Sequence, residues 1–334
     1  MREADLDLHA ELTRELASRS EAEIIVEFTI VFLIGLTGLC GNFLIILVIA
    51  KTSSLRTISN YYIASLSFQD FLLSLCTMIF VPVVTIQGRW TFGDEACQFY
   101  GFVSAMLATA SIHSMALIAI NRYFIMLKSN LHRKHFTKRN VLISIAVCWV
   151  LSCNFPLSYS LQRNRFDFHP GKALCIFDAS KLTVIDATIA GIFNIQLPYI
   201  VMSVCYISIY VKVRRHQARL KKHAEPGVSR TTQLSANNIR MTKIIFSIVL
   251  AFTFCWIPLF VIDLLGIVYG QYFAPRPVYV FYSAMAGSSS AVSPILYGVL
   301  NKEMKKEITK LLKPFLRICR KRTSQVRTVA TIAV

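Results

Sequence analysis

The sequence predicts an all-α integral membrane protein, a bundle of seven transmembrane helices followed by a short amphipathic eighth helix. Of its 334 residues 54% are hydrophobic and only 16% are charged, and the mean hydropathy is +0.53. Soluble domains carry roughly 25% charged residues. Apolar runs of about 20 residues, long enough to cross a bilayer as a helix, recur at 24–50, 59–86, 98–127, 139–161, 184–211, 241–269 and 276–300.

The chain divides into four predicted regions. Residues 1–23 are polar and predict an extracellular, mobile tail, and residues 24–300 form the bundle. The first run is interpreted as a membrane helix, since it lacks the basic flank and cleavage pattern of a signal peptide. In 301–316 the apolar residues Met304, Ile308 and Leu311 share one side with lysines around them, which predicts a helix on the inner membrane surface. Residues 317–334 are predicted as a cytoplasmic tail.

Charge sets the predicted orientation and excludes one class of function. The segments 51–58, 122–138, 212–243 and 301–334 hold most of the Lys and Arg residues but only three acids, Glu225, Glu303 and Glu307. Cytoplasmic loops collect Lys and Arg, so we expect a multi-pass plasma-membrane protein with an extracellular N-terminus and a cytoplasmic C-terminus. The net charge of +18 is therefore not a nucleic-acid signal, since it has no folded soluble face on which to lie.

Three of the nine cysteines suggest covalent chemistry. Cys97 and Cys175 both fall on the predicted outer side, which is an oxidising compartment, so we expect them to form a disulfide. Cys319 lies beyond the amphipathic stretch and is a candidate for palmitoylation, with a free thiol as the equal alternative. No metal-spaced His/Cys set occurs.

Ionisable residues at membrane depth are costly and mark candidate functional sites. They are Asp70, Arg122, Asp186 and Asp263. Prolines, which bend helices by removing a hydrogen bond, interrupt five of the runs at Pro82, Pro156, Pro198, Pro258 and Pro294.

Short motifs occur one per predicted helix. They are "GN" at 41–42, "LSFQD" at 66–70, "WTFG" at 90–93 before Cys97, "NRY" at 121–123, Trp149, Pro198 with Tyr206, "CWIP" at 255–258 and "SPILY" at 293–297. In this order they resemble the rhodopsin-like (class A) G-protein-coupled receptors, from residue 24 to about 313.

The resemblance implies a receptor that activates a heterotrimeric G protein and is not an enzyme. Asn121, Arg122 and Tyr123 match the motif that meets the G protein, and Tyr206 and Tyr297 match two tyrosines that swing inward on activation. Trp256 matches the tryptophan beneath the ligand, with kinks at Pro258 and Pro294. Asp70, Ser111 and Ser290 match a site for an allosteric sodium ion, which is the sole cofactor expected. Cys97 and Cys175 match the family's disulfide.

Departures from the family pattern concern signalling. Asn121 stands where the family usually has an acid, and Asn238 replaces a second acid that often pairs with the arginine. We therefore expect elevated signalling without ligand. Ser293 replaces the usual Asn of the last motif, which weakens the sodium prediction.

Candidate ligand contacts are Asp263, Ser104, Trp256, Asn194 and Tyr282. Asp263 stacks seven residues beyond Trp256, about 10 Å along the helix, and so faces the pocket mouth. Ser104 stands where amine receptors carry an aspartate, which argues against a monoamine. Gly287 stands where light receptors carry their retinal-binding lysine.

The sub-family interpretation rests on "AINRY" and "YGVLNKEMKKE", which look most like melatonin receptors and orphan relatives and would imply an inhibitory G protein. A peptide or other small-molecule receptor is equally plausible, and a non-signalling relative is a further alternative. A transporter or channel is a remote one, since the polar groups are isolated. Arrestin and a receptor kinase are expected partners through Thr323, Ser324, Thr328 and Thr331, besides membrane lipid and an unknown extracellular ligand.

Overall fold

The computed structural model describes residues 3–162, 164–178, 181–222 and 229–313, which form a helical bundle with one small β-hairpin. The helices are α1 (Glu3–Ala17), α2 (Glu21–Lys51), α3 (Ile58–Gln87), α4 (Gly93–Leu127), α5 (Ser129–His135), α6 (Lys138–Ser152), α7 (Asn154–Leu161), α8 (Val184–Gly191), α9 (Leu197–Lys222), α10 (Ser229–Tyr269), α11 (Arg276–Leu300) and α12 (302–313). The antiparallel strands are β1 (Asp167–His169) and β2 (Leu174–Ile176), with Phe168 opposite Cys175.

Six helical spans in the described ranges are long and apolar enough to cross a membrane: Glu21–Lys51, Ile58–Gln87, Gly93–Leu127, Lys138–Leu161, Ile185–Arg215 and Thr242–Tyr269. The helix α11 packs against α2, α3 and α10 and completes a bundle of seven. The end that carries α1 and the hairpin is called the outer end below, following the predicted orientation.

The surface of the bundle is apolar where the bilayer is expected. Val150 and Phe254 are each 72% exposed, and many other large apolar side chains project outward. An apolar surface of this extent is typical of proteins that face lipid. Inside, the largest buried cluster lies in the inner half of the bundle, where Ile63, Met115, Ile245 and other residues of eight helices meet.

Local signals in the sequence explain where helices begin and end. Ser20 caps α2 by accepting a hydrogen bond from the backbone N–H of Glu23, whose carboxylate accepts from the N–H of Ser20. Thr57 and Thr137 cap α3 and α6 by one bond each, since their side chains accept from the backbone N–H groups of Asn60 and Asn140. α3 ends at Gly88 in the left-handed region, at φ 68°, where a residue without Cβ is favoured.

Prolines divide two of the predicted runs. The run 139–161 is interrupted at Cys153 between α6 and α7, because Pro156 offers no N–H to the carbonyl four residues earlier. The run 184–211 contains a five-residue π turn, Ile192–Gln196, directly before α9 and Pro198. The wider turn removes the clash that the proline ring would make in a regular α-helix.

The N-terminal segment corrects the prediction of a mobile polar tail. Residues Glu3–Ala17 form α1, whose Leu12 and Leu16 are almost fully buried. Arg19, two residues after α1, fixes the end of this helix to the bundle. It donates hydrogen bonds to Leu16 O and Thr85 O and forms an ion pair with Glu27 at 2.6 Å. Leu12 and Leu16 are four residues apart and so lie on one face of the helix, a spacing that the charged composition of the segment obscures.

The short helix after the bundle, α12, covers the described part of the segment 301–316. Met304 is fully buried in the main cluster, and Ile308 and Leu311 pack against that cluster. Lys305 and Lys306 on the other side are exposed. Cys319 and the predicted cytoplasmic tail lie outside the described residues.

Candidate ligand cavity and cytoplasmic coupling site

A cavity of about 520 Å³ opens among the outer halves of the helices. Ligand pockets commonly occupy roughly 300 to 1,000 Å³ and are mostly apolar with a few polar groups. The five residues predicted from the sequence all line this cavity: Asp263, Ser104, Trp256, Asn194 and Tyr282. Gly287, in α11, lines it too.

The roof of the cavity is an ion pair that the sequence did not predict. Lys172, in the turn of the β-hairpin, places its Nζ 3.0 Å from Asp263 Oδ1, and the two side chains are 5% and 24% exposed. Tyr282 donates a hydrogen bond to Asp263 Oδ2 at 3.0 Å, and its ring lies 3.9 Å from the Lys172 Nζ. The ammonium group of Lys172 thus balances the charge of the Asp263 carboxylate from the outer side. The sequence offered one indication of where Lys172 lies, because it is only three residues from Cys175, which was predicted to lie on the outer side.

The disulfide between Cys97 and Cys175 confirms the predicted pairing and fixes the hairpin to the top of α4. From there the hairpin crosses the outer end, since Ser283 of α11 donates to the carbonyl of Lys172 at 2.6 Å. His169 is fully buried and bonds the carbonyl of Gln271. Burial and then the charge of Lys172 hold the pKa of His169 well below its usual value, so the imidazole is neutral.

Two polar atoms at the cavity wall lack a partner among the described residues. Asn194 lies in the π turn, where its Nδ2 donates to Ala190 O while its Oδ1 accepts nothing. The indole Nε1 of Trp256 likewise has no acceptor. Trp256 lies two residues before Pro258 inside α10. A ligand that moves the indole would therefore move the helix close to its proline kink. The hydroxyl of Ser104, by contrast, has a partner, since it donates a hydrogen bond to Gly101 O.

A second carboxylate lies deeper in the bundle. Asp70 is 2% exposed, accepts a hydrogen bond from Ser111 at 2.9 Å and is also bonded by Ser293. The hydroxyl of Ser290, predicted to adjoin it, bonds Gly287 O and Ser74 instead. Within the described residues Asp70 forms no ion pair with a basic side chain. The two side chains that bond Asp70 are both hydroxyls, whose oxygens suit a hard cation such as sodium.

The cytoplasmic end gathers the predicted coupling residues. Arg122 is only 4% exposed, and its Nε has no hydrogen-bond partner in the part of the chain that the structure describes. Tyr206 and Tyr297 interact electrostatically with Arg122, and their buried hydroxyls also lack partners among those described residues. Tyr123, the last residue of the motif, is half-buried against the main cluster. No carboxylate within the described residues pairs with Arg122.

Asn121 occupies the place of the usual acid and is held away from Arg122. Its Nδ2 donates to Ser59 Oγ at 2.9 Å, and its Oδ1 accepts from His132 Nε2 at 3.0 Å. The hydrogen bond requires the tautomer of His132 protonated at Nε2. Burial and the charge of Arg122 lower the pKa of His132, which favours the neutral ring. Asn238 falls in α10, but its side chain lies outside what the structure describes.

Comparison with known proteins identifies the family. The sequence profile of the family described as "7 transmembrane receptor (rhodopsin family)" matches residues 41–297. The chain belongs to the rhodopsin family of seven-transmembrane receptors. It is similar to neuropeptide Y receptor type 1 of Xenopus laevis, with 27% identity over 81% of this chain and 76% of that one. It also resembles 5-hydroxytryptamine receptor 4 of Rattus norvegicus, with 23% identity over 85% of this chain and 75% of that one.

A solved structure supports the same conclusion. Squid rhodopsin has a TM-score of 0.76 and 25% identity to this receptor, covering 90% of this chain and 88% of that one. The predicted seven-helix fold and receptor class are thereby confirmed. The receptor is a multi-pass membrane protein that acts through a G protein, and its family is one of receptors and not of enzymes. The relatives named here do not confirm the melatonin-like sub-family.

Proposed function

We propose that the receptor binds its ligand in the cavity beneath the hairpin and transmits binding to the G protein through Arg122. The observation that carries this proposal is the position of Trp256. Its ring lines the cavity floor and stacks on the ring of Phe252 within the kinked helix α10, with the two ring centroids 5.5 Å apart. Phe252 belongs to the buried cluster that also contains Tyr206 and Tyr297.

The polar roof defines what the ligand meets. Asp263 is already paired with Lys172, so a cationic group inside this cavity would have to compete with a buried ammonium group. Ser104 and Asn194 offer neutral hydrogen-bonding groups on the walls. The part of the ligand that occupies this cavity is therefore apolar and uncharged, since an unpaired charge inside a low-dielectric site is costly.

Elevated signalling without ligand is the second part of the proposal. An acid before Arg122 would hold it in an ion pair, but Asn121 bonds Ser59 and His132. Arg122 instead lies between two tyrosines whose hydroxyls have no hydrogen-bond partner among the described residues. The resting state therefore lacks one restraint, and the equilibrium between resting and active states is shifted toward the active one.

We also propose that a sodium ion binds at Asp70. A buried carboxylate without a basic partner needs a counter-charge, and Ser111 and Ser293 supply further oxygens. Ser290 would join them only after rotating away from Ser74. We expect sodium chloride to stabilise the receptor against heat relative to choline chloride, and Asp70→Asn to remove the difference. An equal response of both proteins would contradict the site.

Several finer assignments remain predictions. These are the extracellular N-terminus, plasma-membrane location, coupling to an inhibitory G protein, a melatonin-like ligand and the recruitment of arrestin and a receptor kinase. The phosphorylation candidates lie outside the described residues.

G-protein activation without added ligand tests the proposal. Cells expressing the receptor, Arg122→Ala and Asn121→Asp are compared at matched surface level, with Arg133→Ala as the control, because Arg133 is an exposed arginine that bonds only Asn130 nearby. We expect a basal signal that Arg122→Ala removes and Arg133→Ala keeps.

The Asn121→Asp variant tests the missing restraint. An aspartate can accept from His132 and from the Ser59 hydroxyl, so the local bonds persist while a charge is added beside Arg122. A gain of about 1 kcal/mol for the resting state would lower basal activity roughly fivefold. A basal signal unchanged by Asn121→Asp, or equally reduced by Arg133→Ala, would contradict the proposed restraint.

A further inference from the structure

The outer mouth of the cavity is covered by protein. The hairpin crosses it from the disulfide on α4 to Ser283 of α11. α1 crosses the remaining part: its Leu16 carbonyl lies against Gly88 at the end of α3, and its Asp5 side chain lies against Gly270 after α10. Leu12 of α1 is buried in a cluster with residues of α10 and α11. A ligand from water would have to displace these contacts.

A second cavity offers another route. It measures about 290 Å³ and lies between α7 and α8 at the outer end. We call it the vestibule, and four of its lining residues are polar: Asn154, Ser158, Gln162 and Asp186. Phe155, Leu182 and Ala190 line both the vestibule and the main cavity, so the two spaces meet at these three residues.

The vestibule faces the bilayer. Ile189 and Phe193 line it and are 51% and 55% exposed on the apolar outer surface of the bundle. The helices α7 and α8 make few close backbone approaches to each other, in contrast to neighbouring pairs such as α2 and α3. The path from the bilayer to the main cavity therefore passes side chains and does not require a helix to unfold.

Charge distinguishes the vestibule from the main cavity. Asp263 in the main cavity is neutralised by Lys172. Asp186 in the vestibule accepts a hydrogen bond from Thr183 but forms no ion pair within the described residues. The structure places the two acids in separate spaces. The vestibule thus carries the unneutralised negative charge on the route, beside an apolar cavity.

We propose that the ligand is a single-chain amphiphile with a cationic amine head group, which enters from the outer bilayer leaflet between α7 and α8. Its chain occupies the main cavity toward Trp256, and its head group stays in the vestibule at Asp186, with Gln162 and Asn154 as neutral hydrogen-bonding groups. This inference rests on the proposed function, since it takes the main cavity as the ligand site and adds the ligand class and the route.

The test uses the full chain in phosphatidylcholine nanodiscs and two photoactivatable probes. One is a long-chain amine of the sphingosine type, and the other is a fatty acid of equal chain length. After illumination, mass spectrometry locates the label. We expect the amine to label the peptides around Ile112 and Trp256, and the fatty acid to label them much less.

Three variants separate the route from the head-group contact. Ala190→Trp fills the junction and is expected to abolish labelling of the main cavity. Val204→Trp, on the bilayer face of α9 and outside both cavities, is the matched control. Asp186→Asn keeps the acceptor for Thr183 but removes the charge, and loss of one charge-assisted contact should weaken amine labelling roughly tenfold.

Arg19→Ala, which loosens α1 from the mouth, should leave the labelling rate unchanged. The proposal is overturned if Ala190→Trp labels like its control, if the fatty acid labels as strongly as the amine, or if Arg19→Ala speeds labelling. Labelling is read without a G protein. A missing label therefore leaves the Arg122-dependent signal intact as evidence for the receptor function, and a missing signal leaves the labelling result intact.

Discussion

Replacing Lys172 by methionine tests how strongly the hairpin tip and Asp263 depend on each other. Methionine keeps most of the side-chain length but removes the ammonium group, which lies 3.0 Å from Asp263 Oδ1 and 3.9 Å from the Tyr282 ring. Asp263 would then hold its charge with only the Tyr282 hydroxyl as a donor. The carboxylate is 24% exposed, so water compensates part of the loss.

The expected magnitude follows from the burial of the pair. Breaking a fully buried pair costs about 3 to 5 kcal/mol. The partial exposure of Asp263 lowers the expectation to about 2 to 3 kcal/mol. At roughly 2 to 4 °C per kcal/mol for a large domain, the Tm should fall by roughly 4 to 12 °C. Thermal unfolding of the purified receptor in nanodiscs measures this shift.

Lys181→Met is the matched control. Lys181 pairs with Asp167 at 2.5 Å, and both of these side chains are more than 40% exposed. Its second contact, with Asp178, is longer at 3.9 Å. Exposed pairs contribute only about 0 to 1 kcal/mol. The double variant Lys172→Met with Asp263→Asn should recover part of the loss, because no buried charge then remains unpaired. If Lys172→Met is no more harmful than Lys181→Met, the ion pair does not stabilise the roof and the reasoning is refuted.

Three further outcomes are expected. Arg19→Ala removes the contacts that hold the end of α1, so hydrogen exchange of residues 3–17 should rise while the bundle stays protected; unchanged exchange would show that Leu12 and Leu16 suffice. The pKa of His169 is lowered in the folded state, so its contribution to stability is complete above its unfolded value of about 6.5 and is lost as pH falls. The Tm should therefore drop between pH 7 and 5, and His169→Gln should flatten this dependence. Gly101→Ala places a Cβ about 2.4 Å from Phe166 and should lower the Tm, whereas Gly266→Ala meets nothing within 4 Å and should not; equal Tm values for both would contradict this packing.

Much of the ligand cavity followed from the sequence, because spacing within one helix is a local property. Trp256 and Asp263 share one helix, and a separation of seven residues places them on the same face in any straight or gently bent helix. The disulfide was also within reach, since two cysteines on the oxidising side have few other partners. The motifs supplied the family because each marks one helix.

The path of the segments outside the membrane runs was not predictable in this way. α1 was interpreted as a mobile tail because the segment 1–23 is rich in charged and polar residues. Only the surface offered by α10 and α11 gives Leu12 a place to be buried. The β-hairpin carries no strong pattern in its three-residue strands, so Lys172 had no assigned role.

The sequence by itself determined the membrane class, the number of crossings, the receptor family and the residues that face the cavity from single helices. Those properties depend on composition and on periodicity within one element. Only the tertiary structure decided that Lys172 neutralises Asp263, that Asp186 lies apart from it, that Asn121 is held by Ser59 and His132, and that α1 covers the mouth. Each of these contacts joins residues of different elements, and their meeting depends on how helices and loops pack in three dimensions.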